Sequence, residues 1–302
     1  MANRGTITYN GKTISTEDRD GSFAVTYNGS TIATVGAGAS KTLNCSGKVM
    51  KANVVVGGKT LNCSGKIMAT NVVVSVASLV DSVLANNSWA TISAISRAGQ
   101  ASQYWKVGDT KTFTCNGTTY TAQIIGFDHD NVSDSASYGR TKAGITFQFK
   151  EVYTTTYKFH TSSSSTVYSN TAMYKTYLPA IQGKLESELS SVLVGVNKVS
   201  RRYSGSSETL TGQKLALPAA VEIFGNVSDL ASIEKNEGTQ YSFYAAGNSK
   251  KKTKSGSTAG AEWWTRTIYD GFDDLARVVN GSGSLYYGSY SQAYWTAPIF
   301  FV

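Results

Sequence analysis

The chain has 302 residues, enough for one large hydrophobic core and smaller modules, so we expect two or three domains. Charged residues make up only 16% of it and its net charge of +8 is dispersed, whereas 29 glycines and 18 tyrosines favour short strands and tight turns. The sequence has no apolar run of membrane-spanning length and no signal-peptide core after Met1. Three cysteines are too few for a disulfide framework, and two histidines are too few for a paired zinc site. We therefore expect a soluble, β-rich protein without membrane insertion.

The N-terminal quarter is internally repetitive. The segment ITYNGKTIST at 7–16 recurs as VTYNGSTIAT at 25–34, an offset of eighteen positions. In both copies Asn-Gly stands between β-forming residues, a pattern that predicts a tight hairpin. Each copy is too small to bury a face alone, so we expect it to pair with other units. We assign residues 1–36 to a first β-hairpin repeat module.

A second repeat follows. The segment KTLNCSGKVMKANVVV at 41–56 recurs as KTLNCSGKIMATNVVV at 59–74, again eighteen positions later. Each copy has a Ser-Gly turn before an extended valine run, and we assign 37–77 to a second β-repeat module. Cys45 and Cys63 occupy equivalent positions of the repeat, so we expect both to be small, buried core residues.

From residue 78 to 302 we expect one larger domain. It opens on a junction with a short helix over 76–84. Its strands are predicted at 112–115, 119–126, 144–149 and 152–159. The first two flank Asn116-Gly117, which again predicts a hairpin turn.

Helices are predicted in the middle of this domain. The stretch 171–193 carries an apolar residue every four positions, but Pro179 and Gly183 weaken it, which favours a kink or two helices. A second short helix is predicted after Pro218, ending near Gly225. Strands, then helices, then strands again within one unit indicate an α+β fold.

The sequence contains no catalytic motif: it lacks G-x-S-x-G, a phosphate-binding loop, a dinucleotide glycine pattern and a pair of metal-binding histidines. His129 could act as a base, but no nucleophile stands at motif spacing from it. Asp128, Asp130 and Asp134 could supply oxygens to a calcium ion, although the glycine and glutamate of a helix–loop–helix calcium loop are missing. We expect a structural loop at these aspartates in preference to an ion site, no enzyme activity and no cofactor.

The basic run near residue 250 is the densest positive charge in the chain. Lys250, Lys251, Lys252 and Lys254 lie among serine and glycine, and no recognised nucleic-acid module surrounds them. We therefore expect a solvated loop and no nucleic-acid partner. The net positive charge also favours approach to an anionic cell surface.

The last forty residues are rich in aromatic side chains. Trp263, Trp264 and the terminal Ile299-Phe300-Phe301 are typical of a core. Between them, aromatics alternate irregularly with glycine and serine, the composition that antibody paratopes use because tyrosine and tryptophan give large contact area with few rotamers to freeze. We expect an exposed ligand-binding face made of Tyr269, Asp270, Phe272, Asp274, Tyr286, Tyr287, Tyr290, Tyr294 and Trp295. The alternative is that these aromatics also build the core.

These residues carry a family resemblance. The C-terminal segments resemble the end of an uncharacterised domain family common in phage, prophage and gut-bacterial proteins. The segments are WWTRT and, after it, ARVVNGSGSLYYGSYSQAYWTAPIFFV. The family pattern reads W-W-L-R-[ST], then A-R-V-V-N-x-x-G-x-L, then Y-G-V-x-P-A-F. Upstream, the resemblance rests on Trp89, WKVGD at 105–109, IIGFDHD at 124–130 and GITF at 144–147. It covers nearly all of 88–302.

That family resembles in turn the C-type-lectin-like fold, including the variable ligand-binding proteins diversified by retroelements, in which a C-terminal strand-and-loop region carries the variable surface residues. The chain departs from the family pattern at Thr265, where leucine is usual, and at Trp295-Thr296, where Gly-Val is usual. Some lectin-like relatives are enzymes that use a C-terminal cysteine pair. No cysteine follows Cys115 here, which argues against that branch.

The resemblance implies a non-catalytic receptor-binding protein of a phage tail tip, with a C-type-lectin-like domain behind small all-β repeat modules. The repeats would attach to other phage tail proteins, and the C-terminal domain would bind a bacterial surface glycan or protein. The chain would be a homo-oligomer in the virion, made in the host cytoplasm and acting outside the cell. Two alternatives stay open: a purely structural virion or cell-surface component, and an enzyme acting on cell-wall glycan, which would need a pair of carboxylates in a cleft.

Overall fold

The computed structural model of the chain describes residues 80–162 and 164–302 and, before residue 80, only the backbone of nine strands. The chain divides into two compact units, Met1–Gln100 and Ala101–Val302. The module boundaries predicted at residues 36 and 77 lie outside the described residues.

The first unit contains nine short strands. They are β1 Thr8–Tyr9, β2 Lys12–Thr13, β3 Ser15–Glu17, β4 Phe23–Tyr27, β5 Ser30–Val35, β6 Ser40–Leu43, β7 Ala52–Val56, β8 Lys59–Asn62 and β9 Val72–Ser75. They pair antiparallel in three sheets with the orders β2-β1-β7-β8, β3-β4-β5 and β6-β9.

Strand pairing in this unit follows the repeats. Strand β1 pairs with β2 across Asn10-Gly11, and β4 pairs with β5 across Asn28-Gly29, the positions where the sequence predicts hairpin turns. In the second repeat each copy contributes one strand to each of two pairs, β7 with β8 and β6 with β9. The two Ser-Gly turns, Cys45 and Cys63 lie outside the described residues.

The first unit ends in helical structure. A 3-10 helix spans Leu84–Asn86, and helix α1 spans Trp89–Arg97. Ser88 begins α1, because its Oγ accepts a hydrogen bond of 3.0 Å from the N–H of Thr91. The short helix predicted over 76–84 meets the 3-10 helix only at Leu84, and its first four residues lie outside the described range.

The second unit is a mixed α/β structure made mostly of sheet, as the composition and periodicity predict. Its strands are β10 Thr110–Cys115, β11 Thr118–Phe127, β12 Ile145–Phe149, β13 Tyr157–Lys158, β14 Val196–Arg201, β15 Ser207–Gln213, β16 Leu215–Ala216, β17 Lys252–Thr253, β18 Gly260–Ala261, β19 Trp263–Ile268, β20 Leu275–Val279, β21 Leu285–Ser289, β22 Ala293–Thr296 and β23 Ile299–Phe301. Its α-helices are α2 Ala101–Tyr104, α3 Ser135–Tyr138, α4 Leu178–Gln182, α5 Ser187–Ser190, α6 Ala220–Phe224, α7 Ser232–Lys235 and α8 Ser242–Ala245, with a 3-10 turn at Tyr168–Asn170 and a π-helical turn at Met173–Tyr177.

Two five-stranded sheets frame the second unit. Their strand orders are β10-β11-β12-β23-β16 and β13-β22-β19-β20-β21, and all neighbours are antiparallel except β19 and β22. Strands β12 and β19 are buried along their whole lengths, as expected of central strands. Trp263 and Phe301, one from each sheet, belong to the same core cluster. The predicted core residues Trp263, Trp264 and Phe300 are fully buried.

The predicted elements are recovered where the local signal is strong. Asn116 and Gly117 have φ of 50° and 73° and join β10 to β11, as their Asn-Gly signal predicts. The stretch predicted as a kinked helix over 171–193 is broken at Gly183 into Met173–Gln182 and Ser187–Ser190. The predicted strand 152–159 is shorter than expected, because only Tyr157–Lys158 pairs with β22.

The lysine run is a solvated loop only in part: Lys251 and Lys254 are exposed outside any strand, as predicted, whereas Lys252 is buried, which corrects the prediction for that residue. Lys252 lies on β17 with 6% of its surface exposed, and its Nζ donates a hydrogen bond of 2.7 Å to the carbonyl of Phe149. Lys250 and Lys254 place their ammonium groups 5.6 and 5.2 Å from the ring centres of Phe224 and Trp295. Lys250 and Lys254 therefore make cation–π contacts at the surface.

Candidate functional site

Four of the nine side chains predicted to bind a ligand stack in one row. The ring centres lie 5.1 Å apart for Phe272 and Tyr269, 5.0 Å for Tyr269 and Tyr287, and 4.8 Å for Tyr287 and Tyr286. Neighbouring ring planes differ by only 14–16°. We call these four residues the aromatic ladder.

Two neighbouring elements place the rings. Tyr269 directly follows β19, and its N–H donates to the carbonyl of Leu275 at 3.0 Å, which closes the turn into β20. Phe272 lies in that turn, where Gly271 has a φ of 81° that favours glycine. Tyr286 and Tyr287 lie on β21, the edge strand of the sheet. The ladder thus runs from a tight turn to the sheet edge.

Arg277 supports the ladder from the sheet. It stands opposite Tyr287 in the β20–β21 register, and its guanidinium carbon lies 4.1 Å from the ring centre of Tyr269. Its Nη2 donates to Glu234 Oε2 at 2.8 Å and to the carbonyl of Asp229 at 2.6 Å. Arg277 is 6% exposed and Glu234 is fully buried, so this cation–π contact is largely shielded from water and is stabilising by roughly 1–2 kcal/mol.

Asp270 lies beside the ladder and is held by a buried cation. Its Oδ1 is 2.9 Å from Nη2 of Arg201, which has no exposed surface, whereas the Asp270 side chain is 46% exposed. Its backbone N–H donates to Glu234 Oε1 at 3.0 Å. Side chain and backbone are both tied to buried groups, so the carboxylate keeps a fixed direction while it remains accessible to a ligand.

The ladder is exposed to solvent. Phe272, Tyr286 and Tyr287 are 47%, 51% and 40% exposed, and they are three of the five exposed large hydrophobic side chains in the described part of the chain. Tyr269 is half-buried between them. A contiguous exposed aromatic patch does not help folding, and such patches on soluble proteins commonly mark binding sites.

Tyr290 does not belong to this face, which corrects the prediction. Its ring is fully buried and stacks 4.9 Å from Phe159, and burial raises the pKa of its phenol. Its N–H donates to the carbonyl of Asp274 at 2.8 Å, so the pairing of β20 and β21 continues to this residue. Tyr290 lies in the turn directly after β21, and its hydroxyl donates to the carbonyl of Ser165 at 3.3 Å.

The remaining predicted residues lie outside the ladder. Tyr294 and Trp295 are half-buried on β22, on the other side of β19. The ring of Tyr294 packs edge-on against Trp264 at 4.8 Å, and Trp295 packs against the core cluster. Asp274 is half-buried, and its carbonyl accepts the hydrogen bond from Tyr290.

Sequence reasoning missed a buried charge network behind the site. On β19, Arg266 donates two hydrogen bonds to Glu222 of α6, Nη1 to Oε2 at 2.6 Å and Nη2 to Oε1 at 3.0 Å. Lys198 of β14 also binds Glu222, and it reaches Asp130 at 2.6 Å. Burial alone would raise the pKa of Glu222, but the charges of Arg266 and Lys198 outweigh it and lower the pKa to about 2. A lone arginine inside the apolar run WWTRTI was the available signal.

The buried charge network also holds the segment that carries Glu234, the carboxylate that pairs with Arg277 beneath the ladder. Nη2 of Arg266 donates to the carbonyl of Glu237 at 2.7 Å. Glu237 follows α7 closely, and α7 carries Glu234, the partner of Arg277. The same buried arginine therefore holds both α6 and the segment that positions the ladder.

The three aspartates considered for calcium have separate partners. Asp130 forms an ion pair with Lys198 and accepts hydrogen bonds from the hydroxyls of Thr146 and Tyr241. Asp128 forms an ion pair with Arg140 at 2.8 Å. Asp134 accepts a hydrogen bond from the N–H of Ser137. Within residues 80–162 and 164–302, no group of three His, Cys, Asp or Glu side chains could hold a metal ion.

Burial shifts the pKa of two further side chains, His129 and Cys115. His129 packs its ring 4.2 Å from that of Tyr241, and burial lowers the pKa of its imidazole. Burial raises the pKa of the Cys115 thiol to about 11, so the thiol is protonated at neutral pH and weakly nucleophilic.

Comparison with protein-family models, with curated proteins and with solved structures finds no match to this chain. Among the described residues, no helix has the length and apolar character needed to cross a membrane.

Proposed function

We propose that this chain is a non-catalytic receptor-binding protein of a phage tail tip, which recognises a bacterial surface glycan or protein through the aromatic ladder and Asp270. The observation that carries the proposal is the row of four near-parallel rings, three of them exposed, on a support of buried charges. The phage context comes from the sequence resemblance of 88–302.

The arrangement suits ligand binding for energetic reasons. Rings held in place before binding lose little conformational entropy when the ligand arrives, so more of the contact energy contributes to affinity. Exposed aromatic anchors at interfaces each contribute roughly 2 kcal/mol or more on truncation. Tyr286, Tyr287 and Tyr269 add phenol hydroxyls, and Asp270 adds a fixed acceptor, so the face offers apolar contact and hydrogen bonds together.

The first unit is assigned to attachment. Its strands are short and come from sequence repeats, a pattern typical of modules that pair with further units of the same kind. We propose that it joins other tail proteins and that the chain acts as a homo-oligomer outside the cell, displaying several copies of the ladder. Several weak contacts would then act together through their high effective concentration.

The test is binding of the purified chain to a panel of bacterial cells, with the triple variant Phe272→Ala, Tyr286→Ala, Tyr287→Ala. We expect binding to fall at least about a hundredfold, since each lost anchor removes roughly 2 kcal/mol. Tyr104→Ala, at a half-buried tyrosine on α2, is the matched control and should bind as the wild type does. Thermal unfolding shows that each variant is folded.

Two outcomes would contradict the proposal. If the triple variant binds cells as well as the wild type, the ladder is not the recognition face. If the wild type binds no cell in the panel but assembles with tail proteins, the chain is a structural virion component instead.

A further inference from the structure

A cavity lined by none of the ladder residues lies elsewhere in the second unit. It is a cavity of about 420 Å³ between the helical segment 173–182 and the end of strand β15. This volume lies within the range of small-molecule pockets, roughly 300–1,000 Å³. The helical side contributes Tyr174, Lys175 and Gln182, and the strand side contributes Gln213 and Lys214.

The lining is positively charged. Two lysines, Lys175 and Lys214, border the cavity, and none of its nine lining residues is acidic. Both lysines are exposed, and neither forms an ion pair with a described residue. Lys175 is held toward Asn170, whose Oδ1 accepts a hydrogen bond of 2.9 Å from its Nζ. The two charges are therefore available to an anion.

The rest of the lining combines polar and apolar groups. Gln213 is fixed by two hydrogen bonds, from its Nε2 to the hydroxyl of Tyr174 at 3.2 Å and to the carbonyl of Thr211 at 3.1 Å. The floor is apolar, since Leu178 and Leu215 are both 3% exposed. Hydrogen-bonding groups above an apolar floor suit a ligand that carries hydroxyls and also has an apolar face.

The backbone of the helical side is unusual. Met173–Tyr177 forms a π-helical turn that runs directly into α4. Such turns are rare, and they occur frequently at functional sites. Here the π-helical turn carries Tyr174 and Lys175, the two residues that it contributes to the cavity.

We propose that this cavity binds a monosaccharide phosphate, with Lys175 and Lys214 pairing with the phosphate and the glutamines and Tyr174 contacting the sugar hydroxyls. A phosphate monoester carries a charge of about −1.5 to −2 at neutral pH, which two lysines balance. A carboxylate sugar carries a single negative charge and leaves one lysine without a partner. The site is independent of the aromatic ladder and of the function proposed for it.

The test is calorimetric titration of the full chain with glucose 1-phosphate, glucuronate and glucose at low ionic strength. Glucose 1-phosphate is expected to bind at least about tenfold more tightly than glucose, because charge-assisted contacts are the stronger ones. The double variant Lys175→Gln, Lys214→Gln should weaken that binding by at least about tenfold. The control Lys106→Gln, Lys150→Gln removes the same net charge from two exposed lysines outside the cavity and should leave the binding unchanged.

Several results would overturn the assignment. Equal binding of glucose and glucose 1-phosphate, or no binding of either, would show that the cavity is not an anion-binding site. Tighter binding of glucuronate shows a carboxylate site instead of a phosphate site. If the control pair weakens binding as much as the cavity pair, the attraction is due to net charge and not to this cavity.

Discussion

The guanidinium of Arg277 lies 4.1 Å from the ring centre of Tyr269, the half-buried ring of the aromatic ladder. The other side of Arg277 is held by the buried carboxylate of Glu234, which also accepts the backbone N–H of Asp270. The surface that a ligand would meet is therefore joined to buried charged groups. Because these groups are fixed by several hydrogen bonds each, the ladder is organised before any ligand binds.

Replacing Arg277 tests this support. In Arg277→Lys the ammonium can still pair with Glu234 but cannot make the fork of hydrogen bonds while lying on Tyr269, so the free energy of unfolding should fall by about 1–3 kcal/mol. Arg277→Met leaves Glu234 buried without its partner and should cost more, about 3–5 kcal/mol. Urea denaturation of the three proteins measures both losses. Equal stability of the wild type and Arg277→Met would show that the pair does not support the site.

Breaking the central ion pair is expected to be strongly destabilising. Arg266→Met leaves Glu222 in the core with only Lys198 as a cation, so the free energy of unfolding should fall by about 3–5 kcal/mol. The matched control is Arg140→Met, which removes the partly exposed pair with Asp128 and should cost less than about 1 kcal/mol. Chemical denaturation of both variants gives the two values. Similar losses would contradict the structural role of the buried pair.

Stability should depend on pH through Glu237. Burial raises the pKa of this carboxyl to about 7 from its ordinary value of 4.5, despite the nearby charge of Arg266. Between these two values the folded state holds the proton that the unfolded state has released, so stability declines as pH rises from about 4.5 to 7. Glu237→Gln cannot titrate, and its stability should lack this decline.

The measurement is urea denaturation of the wild type and Glu237→Gln at pH 5 and pH 7.5. The difference between the two proteins isolates Glu237 from other titrating groups, including Lys252, whose pKa burial lowers to about 7. If the variant and the wild type lose the same stability over this interval, Glu237 does not carry the linkage.

A side chain at Gly288 is expected to destabilise the fold. A Cβ atom there would lie 2.3 Å from Cε2 of Tyr294 and 3.2 Å from the indole of Trp264, so Gly288→Ala must displace a packed ring. Overpacking of this kind costs about 1–3 kcal/mol. Gly183→Ala is the control, because Gly183 has a φ of −66° and its new Cβ would meet only ordinary contacts at 3.5 Å. We expect that variant to be neutral or slightly stabilising in thermal unfolding, while Gly288→Ala lowers the melting temperature.

Local signals were sufficient where neighbouring residues determine the structure. Asn116-Gly117 predicts its hairpin because both residues adopt positive φ at low cost. The end of α6 at Gly225, where φ is 71°, follows from the same conformational preference. The burial of Trp263, Trp264 and Phe300 follows from the amount of apolar surface that they would otherwise expose.

Only the tertiary structure decided which aromatic side chains share an exposed face. Tyr287 and Tyr290 stand three residues apart among the same glycines and serines, yet one is 40% exposed and the other fully buried. Tyr290 is buried because it stacks on Phe159, which is distant in the chain, and no local pattern encodes that contact. Arg266 and Glu222 are 44 residues apart in the chain, and their pairing depends on how α6 packs against β19. Composition therefore predicted an aromatic binding face, whereas strand pairing and long-range packing selected its four rings and placed the charges behind them.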